Sequence, residues 1–175
     1  MIIGIGHRQQ VGKDHAARLI SRTYDIAHVS FAKPLYDICE RTYAAKGFKS
    51  KEFYDHYPFQ KEVYLPDIGM TPRQILIEVG SNCFRKIYDK TWIDLALHRP
   101  CVVSDVRFLN EAEEIKKRGG VLIKVERDVF KSSDVADSNL EEYTGWDHII
   151  KNDSDLTSFN EKVLKIAEKI FYNRG

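Results

Sequence analysis

In this 175-residue chain the residues best equipped for chemistry come early, where Gly6-His-Arg-Gln-Gln-Val-Gly-Lys-Asp14 follows the apolar run Met1 to Ile5. A Gly-Lys pair at a strand-to-helix turn is the core of a phosphate cradle. Successive backbone N–H groups and the helix N-terminus face the anion, and the lysine adds a point charge. Gly12-Lys13 stands in that place; the alternative is an ordinary glycine turn with a solvated lysine. The usual pattern, G-x-x-x-x-G-K-[ST], is broken twice, by His7 where the first glycine belongs and by Asp14 in place of the hydroxyl. A carboxylate at position 14 could hold Mg²⁺ directly or through water. It could equally be only an acid that favours the positive end of the helix dipole.

A second acid, Asp105, closes the apolar run Cys101 to Ser104, a position from which it can reach the magnesium of a nucleotide seated on such a loop; the alternative is a turn or cap aspartate. Arg107, two residues on, offers a planar fork of donors that matches phosphate oxygens and stabilises charge on a transferring phosphoryl group. Of the other arginines, Arg8, Arg73, Arg85 and Arg127 lie near expected element ends or on a helix able to flank a cleft, although the ordinary reading of each is a solvated surface charge. Arg73 and Arg127 are the better placed to reach over a bound phosphate. The six histidines form no H-x-x-x-H or Cys/His cluster, so no zinc site is expected. Phe53, Tyr54, Tyr57, Phe59 and Tyr64 read as local core or as a base-stacking patch.

Elements that could position these residues follow from the apolar pattern. Met1 to Ile5 suits a buried strand, and Ala16, Leu19, Ile20 and Thr23 give residues 13–23 one apolar helical face. Ile26 to Ser30 reads as a strand, and a helix from Pro34 runs through Leu35, Ile38, Cys39, Thr42 and Tyr43 to a cap at Gly47. Residues 48–70, broken by Pro58, Pro66 and Gly69, read as an irregular or mobile cover segment. Thr71-Pro72 opens a helix whose apolar face, Ile75, Leu76, Val79, Cys83 and Ile87, predicts a long one, extended or followed by residues 91–98. Beyond it come strands at 100–105, 121–125 and 148–151, helices at 111–118 and around Phe159, Val163, Ile166 and Ile170, and a polar stretch at 127–147. The alternation predicts an α/β layered domain with a largely parallel sheet. Ligands on such sheets bind beyond the carboxyl ends of the strands, where both Gly6 to Asp14 and Ser104 to Arg107 lie.

Composition narrows the function. With 27 Lys+Arg against 26 Asp+Glu the net charge is +1, which gives no global attraction for a nucleic-acid polymer or an anionic membrane. A small phosphorylated ligand fits better. No stretch approaches the roughly 20 apolar residues of a membrane span, and the N-terminal apolar run is too short for a signal peptide, so the cytoplasm is expected. Cys39, Cys83 and Cys101 are odd in number and widely spaced, as reduced thiols would be.

Gly12-Lys13-Asp14, Ser30-Phe-Ala-Lys-Pro-Leu35, Thr71-Pro-Arg-Gln74, Trp92, Val103-Ser-Asp-Val-Arg-Phe108 with Asn110-Glu111, Val125-Glu-Arg127 and Asp147 to Asn152 occur in an order that resembles the phage-type deoxynucleoside monophosphate kinases. Animal phosphomevalonate kinase is similar in its lysine–aspartate loop and Ser-Asp-x-Arg. The resemblance implies a single P-loop kinase domain over 1–175. It would be a three-layer α/β sandwich with a five-stranded parallel sheet of order 2-3-1-4-5, an acceptor-binding segment at about 31–98 and a lid at about 127–147. It implies transfer of the ATP γ-phosphoryl group, with Mg²⁺, to a deoxynucleoside monophosphate in the host cytoplasm, by a monomer or homodimer. His7, Arg8, Val11, Gly12, Lys13, Asp14, His15 and Asn152 would bind ATP, Asn152 near the base. Lys13, Asp105, Arg107 and Arg127 would be catalytic, Asp14 and Asp105 would hold the metal, and Arg73 and Arg85 would clamp the acceptor. His15 stands where the family commonly has threonine. Two further readings are a kinase of the same fold acting on another phosphorylated small molecule, phosphomevalonate-like, and a nucleotide-binding regulator without transfer activity.

Overall fold

The structure, a computed structural model, describes residues 1–8, 10–127 and 140–172. Most of the expected lid, 127–147, therefore lies outside the described residues. The chain divides into two compact units, one formed by Met1–Ser30 with Leu97–Gly175 and the other by Phe31–Ala96.

The first unit is built on five parallel strands, β1 (Ile2–Gly6), β2 (Ala27–Val29), β3 (Cys101–Val106), β4 (Val121–Glu126) and β5 (His148–Lys151), in the order β2-β3-β1-β4-β5. The central strands are continuous apolar runs because helices cover both faces, as parallel sheets require. Ile3 and Ile5 point to one face, into a fully buried cluster with Ala16, Ala17 and Ile20 of α1 (Lys13–Tyr24) and Phe159, Val163, Ala167 and Ile170 of the C-terminal helix (Leu156–Tyr172). Gly4 points to the other. A Cβ there would stand 2.7 Å from Ile115 and 2.8 Å from Leu122, so only glycine lets the helix Leu109–Lys117 close down on the sheet. The three layers are thus set by alternation within five residues. Asp147 anchors the start of β5: its carboxylate accepts from the Leu122 N–H at 2.7 Å and from Lys116 Nζ at 2.6 Å.

The second unit is helical: α2 (Ala32–Tyr43), α3 (Lys51–His56), α4 (Pro72–Ile77), a π-helical stretch Glu78–Arg85 and α5 (Thr91–Ala96). Its own core gathers Tyr36, Cys39, Phe48, Tyr54, Leu65 and Ile75. The Tyr54 ring lies edge-on to Phe48 at 5.3 Å, and its hydroxyl accepts from the Lys49 N–H at 3.1 Å. Two expectations need correction here. Residues 48–70 are not irregular throughout, since Ser50 caps α3 by accepting the Phe53 N–H and a 3₁₀ turn follows over Pro58–Glu62. Nor is the helix after Thr71 one long α-helix. The Thr71–Gln74 capping box starts it as expected, but the wider winding of the π stretch breaks the 3.6-residue register. Cys83 and Ile87 accordingly turn out to solvent, Ile87 80% exposed. The Trp92 indole N–H donates to the Gly80 carbonyl in the same stretch, at 3.2 Å.

No disulfide joins the cysteines; Cys39 and Cys101 are buried, and burial pushes the Cys39 thiol up to about 11. No helix among the described residues is long and apolar enough to cross a membrane.

Candidate active site

All of the candidate donor-side residues lie in the first unit, at the carboxyl edge of the sheet. The loop leaves β1 at Gly6 and enters α1 at Lys13. Its bend is made by positive backbone angles at His7 (φ 96°), Gln10 (φ 58°) and Gly12 (φ 107°). Gly12 is constrained twice over, since a Cβ there would also stand 2.9 Å from the Asn152 amide nitrogen. Lys13 is only 6% exposed, and its ammonium donates to the Arg8 carbonyl, so the side chain folds back across the loop. Val11 is fully buried. Its carbonyl accepts from Asn152 Nδ2 at 2.9 Å. Asn152, which follows β5, thus holds the loop at Val11.

Arg8 pairs with Glu141 at 2.5 Å, and that bond holds the Glu141 carboxyl below its ordinary range. His7 is confined beside them, with Nε2 3.8 Å from Glu141. Burial, followed by the nearby Lys124 ammonium, pushes the imidazole pKa down despite the opposing carboxylate. Among the described residues neither ring nitrogen has a hydrogen-bond partner of ordinary geometry, and the same holds for the Trp146 indole N–H. Trp146 covers the start of the loop: its ring occupies the space that a Gly6 Cβ would need, at 2.5 Å. His15 faces away to the C-terminal helix, where Nε2 lies 2.7 Å from Asn160 Oδ1 and the ring packs against Phe159.

The two acids are each held by a serine. Ser104 Oγ donates to Asp14 Oδ1 at 2.6 Å, and Ser30 Oγ donates to Asp105 Oδ2 at 2.7 Å. Ser104 also lies 3.0 Å from His28 Nε2 on β2. Beyond Asp105, the chain turn carrying Arg107 is fixed by Glu111, 1% exposed, whose Oε2 accepts from the Arg107 and Phe108 N–H groups at 2.8 and 3.1 Å. Arg107 is half-buried, and Arg127 stands exposed directly after β4. Arg73 and Arg85 belong to the Phe31–Ala96 unit. There Arg73 pairs with Glu62 at 2.5 Å and Arg85 ends the π stretch, half-buried.

Among the described residues no group of three or more His, Cys, Asp or Glu side chains could by itself hold a metal ion. Two carboxylates steadied by hydroxyls nevertheless fit Mg²⁺, which favours oxygen donors and takes its remaining ligands from water and phosphates. Spacing alone did not reveal His28, Glu141 or Trp146. Ser30, Ser104 and Glu111 stood inside recognisable strings, but nothing in those strings said what they bond.

No family model matches the chain. Over 192 aligned positions it is 29% identical to a protein of Acanthamoeba polyphaga mimivirus provisionally named a deoxynucleotide monophosphate kinase, with 96% of each chain covered. Among solved structures, shikimate kinase from Aquifex aeolicus covers 99% of this chain and 98% of its own, with 16% identity and a TM-score of 0.55. Dephospho-CoA kinase from Campylobacter jejuni has the same coverage and identity and a TM-score of 0.47. The fold is that of the P-loop kinases. In sequence the chain resembles a deoxynucleotide monophosphate kinase over nearly its whole length.

Proposed function

We propose that the chain is a deoxynucleoside monophosphate kinase, moving the γ-phosphoryl group of ATP onto the 5′-phosphate of a dNMP to give dNDP and ADP. The observation that carries this reading is the loop itself. Its buried Lys13 lies at the carboxyl edge of the sheet, one residue from an acid that a β3 serine ties to the strand bearing Asp105. The whole-length likeness to a protein named for this activity supports it.

Such a reaction asks for positioning and charge neutralisation more than for covalent help. The loop N–H groups and Lys13 hold the donor phosphates, and Asn152 keeps the loop in shape. Arg107 and Arg127, beyond β3 and β4, donate to the phosphoryl group in transfer, while Arg73 and Arg85 bind the acceptor phosphate. An acceptor oxygen attacks the γ-phosphorus as the bond to the β,γ-bridging oxygen breaks, and ADP leaves with that electron pair. The acceptor is largely a dianion at neutral pH, its second pKa lying near about 6, so no strong general base is needed. Asp14 and Asp105 would hold Mg²⁺, which when bound would neutralise charge on the donor phosphates.

The test is ADP release from Mg·ATP with dAMP, dGMP, dCMP, dTMP, dUMP or phosphomevalonate as acceptor. Turnover with at least one deoxynucleotide is expected, falling about 10²–10³-fold in Lys13→Ala, as for loss of one main charge-stabilising donor. Turnover with phosphomevalonate alone would replace the acceptor class. Tight ATP binding without transfer to any acceptor would favour a nucleotide-binding regulator.

A further inference from the structure

We propose that His28 and Ser104 are positioning residues, forming with Asp14 a directional hydrogen-bond relay that fixes the Asp14 carboxylate for Mg·ATP. This rests on the nucleotide-binding part of the function proposed above. Ser104 is 1% exposed and its hydroxyl has one proton to give. It donates to Asp14 Oδ1 at 2.6 Å, so that proton points to Asp14. The serine oxygen is then left with lone pairs alone towards His28, whose Nε2 lies at 3.0 Å. Nε2 must therefore carry a hydrogen, and the chain runs one way: His28 Nε2–H to Ser104 Oγ–H to Asp14 Oδ1.

The backbone makes this arrangement natural. His28 is opposite Val102 in the parallel β2–β3 pair. Residues two apart on a strand share a face, so His28, Val102 and Ser104 project together. Val102 belongs to the core cluster that contains α1 residues, and α1 begins with Lys13-Asp14. The relay thus spans an edge strand, its inner neighbour and the first turn of the helix beneath the phosphate loop. Without it, Asp14 is an exposed first-turn acid with several rotamers open to it. With it, one oxygen is committed to the serine and the other has a set direction. Outer partners of metal-holding groups commonly matter by about 10–100-fold.

The measurement is calorimetric ATP binding to the full chain, once with Mg²⁺ and once with EDTA, for wild type, His28→Ala, His28→Gln and Ser104→Ala. His28 is an exposed residue of the edge strand β2, so its variants should fold. In His28→Ala and Ser104→Ala the gain in ATP affinity on adding Mg²⁺ should shrink about tenfold, with metal-free ATP binding unchanged within about twofold. His28→Gln, which keeps an N–H donor, should recover most of the gain. A His28→Ala protein with the wild-type Mg²⁺ effect overturns the relay, as does one that loses ATP binding equally in Mg²⁺ and EDTA. Wild-type binding of Mg·ATP without turnover of any dNMP would sink the proposed reaction while leaving the relay readable.

Discussion

His7 occupies a backbone conformation that costs a non-glycine residue roughly 1–3 kcal/mol, at φ 96°, and both of its ring nitrogens are buried without a hydrogen-bond partner of ordinary geometry among the described residues. His7→Gly should therefore stabilise the chain by about 1 kcal/mol or more, raising Tm by about 2–4 °C for a protein of this size. The gain should depend on pH. Burial first, and Lys124 next, hold the folded-state pKa below the ordinary 6.5, so the unfolded chain binds more protons in the window below that value. The wild-type contribution of a neutral His7 is intact above about 6.5 and is lost as pH falls from there towards the depressed value. Urea unfolding at pH 7.5 and 5.5 should show the advantage of His7→Gly widening at the lower pH; an advantage that stays constant would contradict the burial argument. The sequence showed that a glycine was missing at this position. It could not show that Lys124 and Glu141 would stand beside the histidine, because those contacts cross more than a hundred residues.

At the level of elements, the two turns of the candidate site share one device: a side chain from elsewhere accepts or donates where the turn leaves backbone groups open. Asn152 holds Val11 O from beyond β5, and Glu111 holds two N–H groups from the first turn of the helix after β3. Asn152→Ala leaves the buried Val11 carbonyl without that donor and should cost about 1–3 kcal/mol, with KM for ATP rising more than kcat falls. Gly12→Ala should be worse, since φ 107° and the 2.9 Å approach to Asn152 both oppose a methyl group. ATP titration of the two variants ranks them; equal affinities would deny the loop its dependence on position 12. Strand and helix positions were legible because buried parallel strands read as unbroken apolar runs and α1 carries its apolar face at regular spacing. The π stretch was not, because Ile75 to Ile87 satisfy a helical pattern on paper while the backbone winds to another period. α3 was hidden by its short length and by the prolines that follow it.

For the molecule as a whole, the sheet order was legible through the resemblance, and the alternation of elements gave the layers without it. Side-chain holders such as Ser104 and His28 were not, since 90 and 76 positions separate the partners. The slowest-exchanging amides should lie in β1, β3 and β4, where Ile3, Ile5, Val102 and Ile123 are wholly buried. The three-residue edge strand β2 should exchange through local opening. Hydrogen exchange read by mass spectrometry would show this as a gradient across the sheet, and uniform protection would contradict it. The same central strand has a consequence during synthesis. β1 pairs with β3 and β4 only, Ile2 with Cys101 and Ile3 with Val121, so its neighbours emerge about a hundred residues after it. At about 5–20 residues per second, the strand that leads into the phosphate loop spends roughly 5–20 s on the ribosome as an unpaired apolar segment. Pairings this distant in sequence make folding slow, and a nascent chain that stalls before β3 would offer Met1 to Ile5 to chaperones or to other nascent chains.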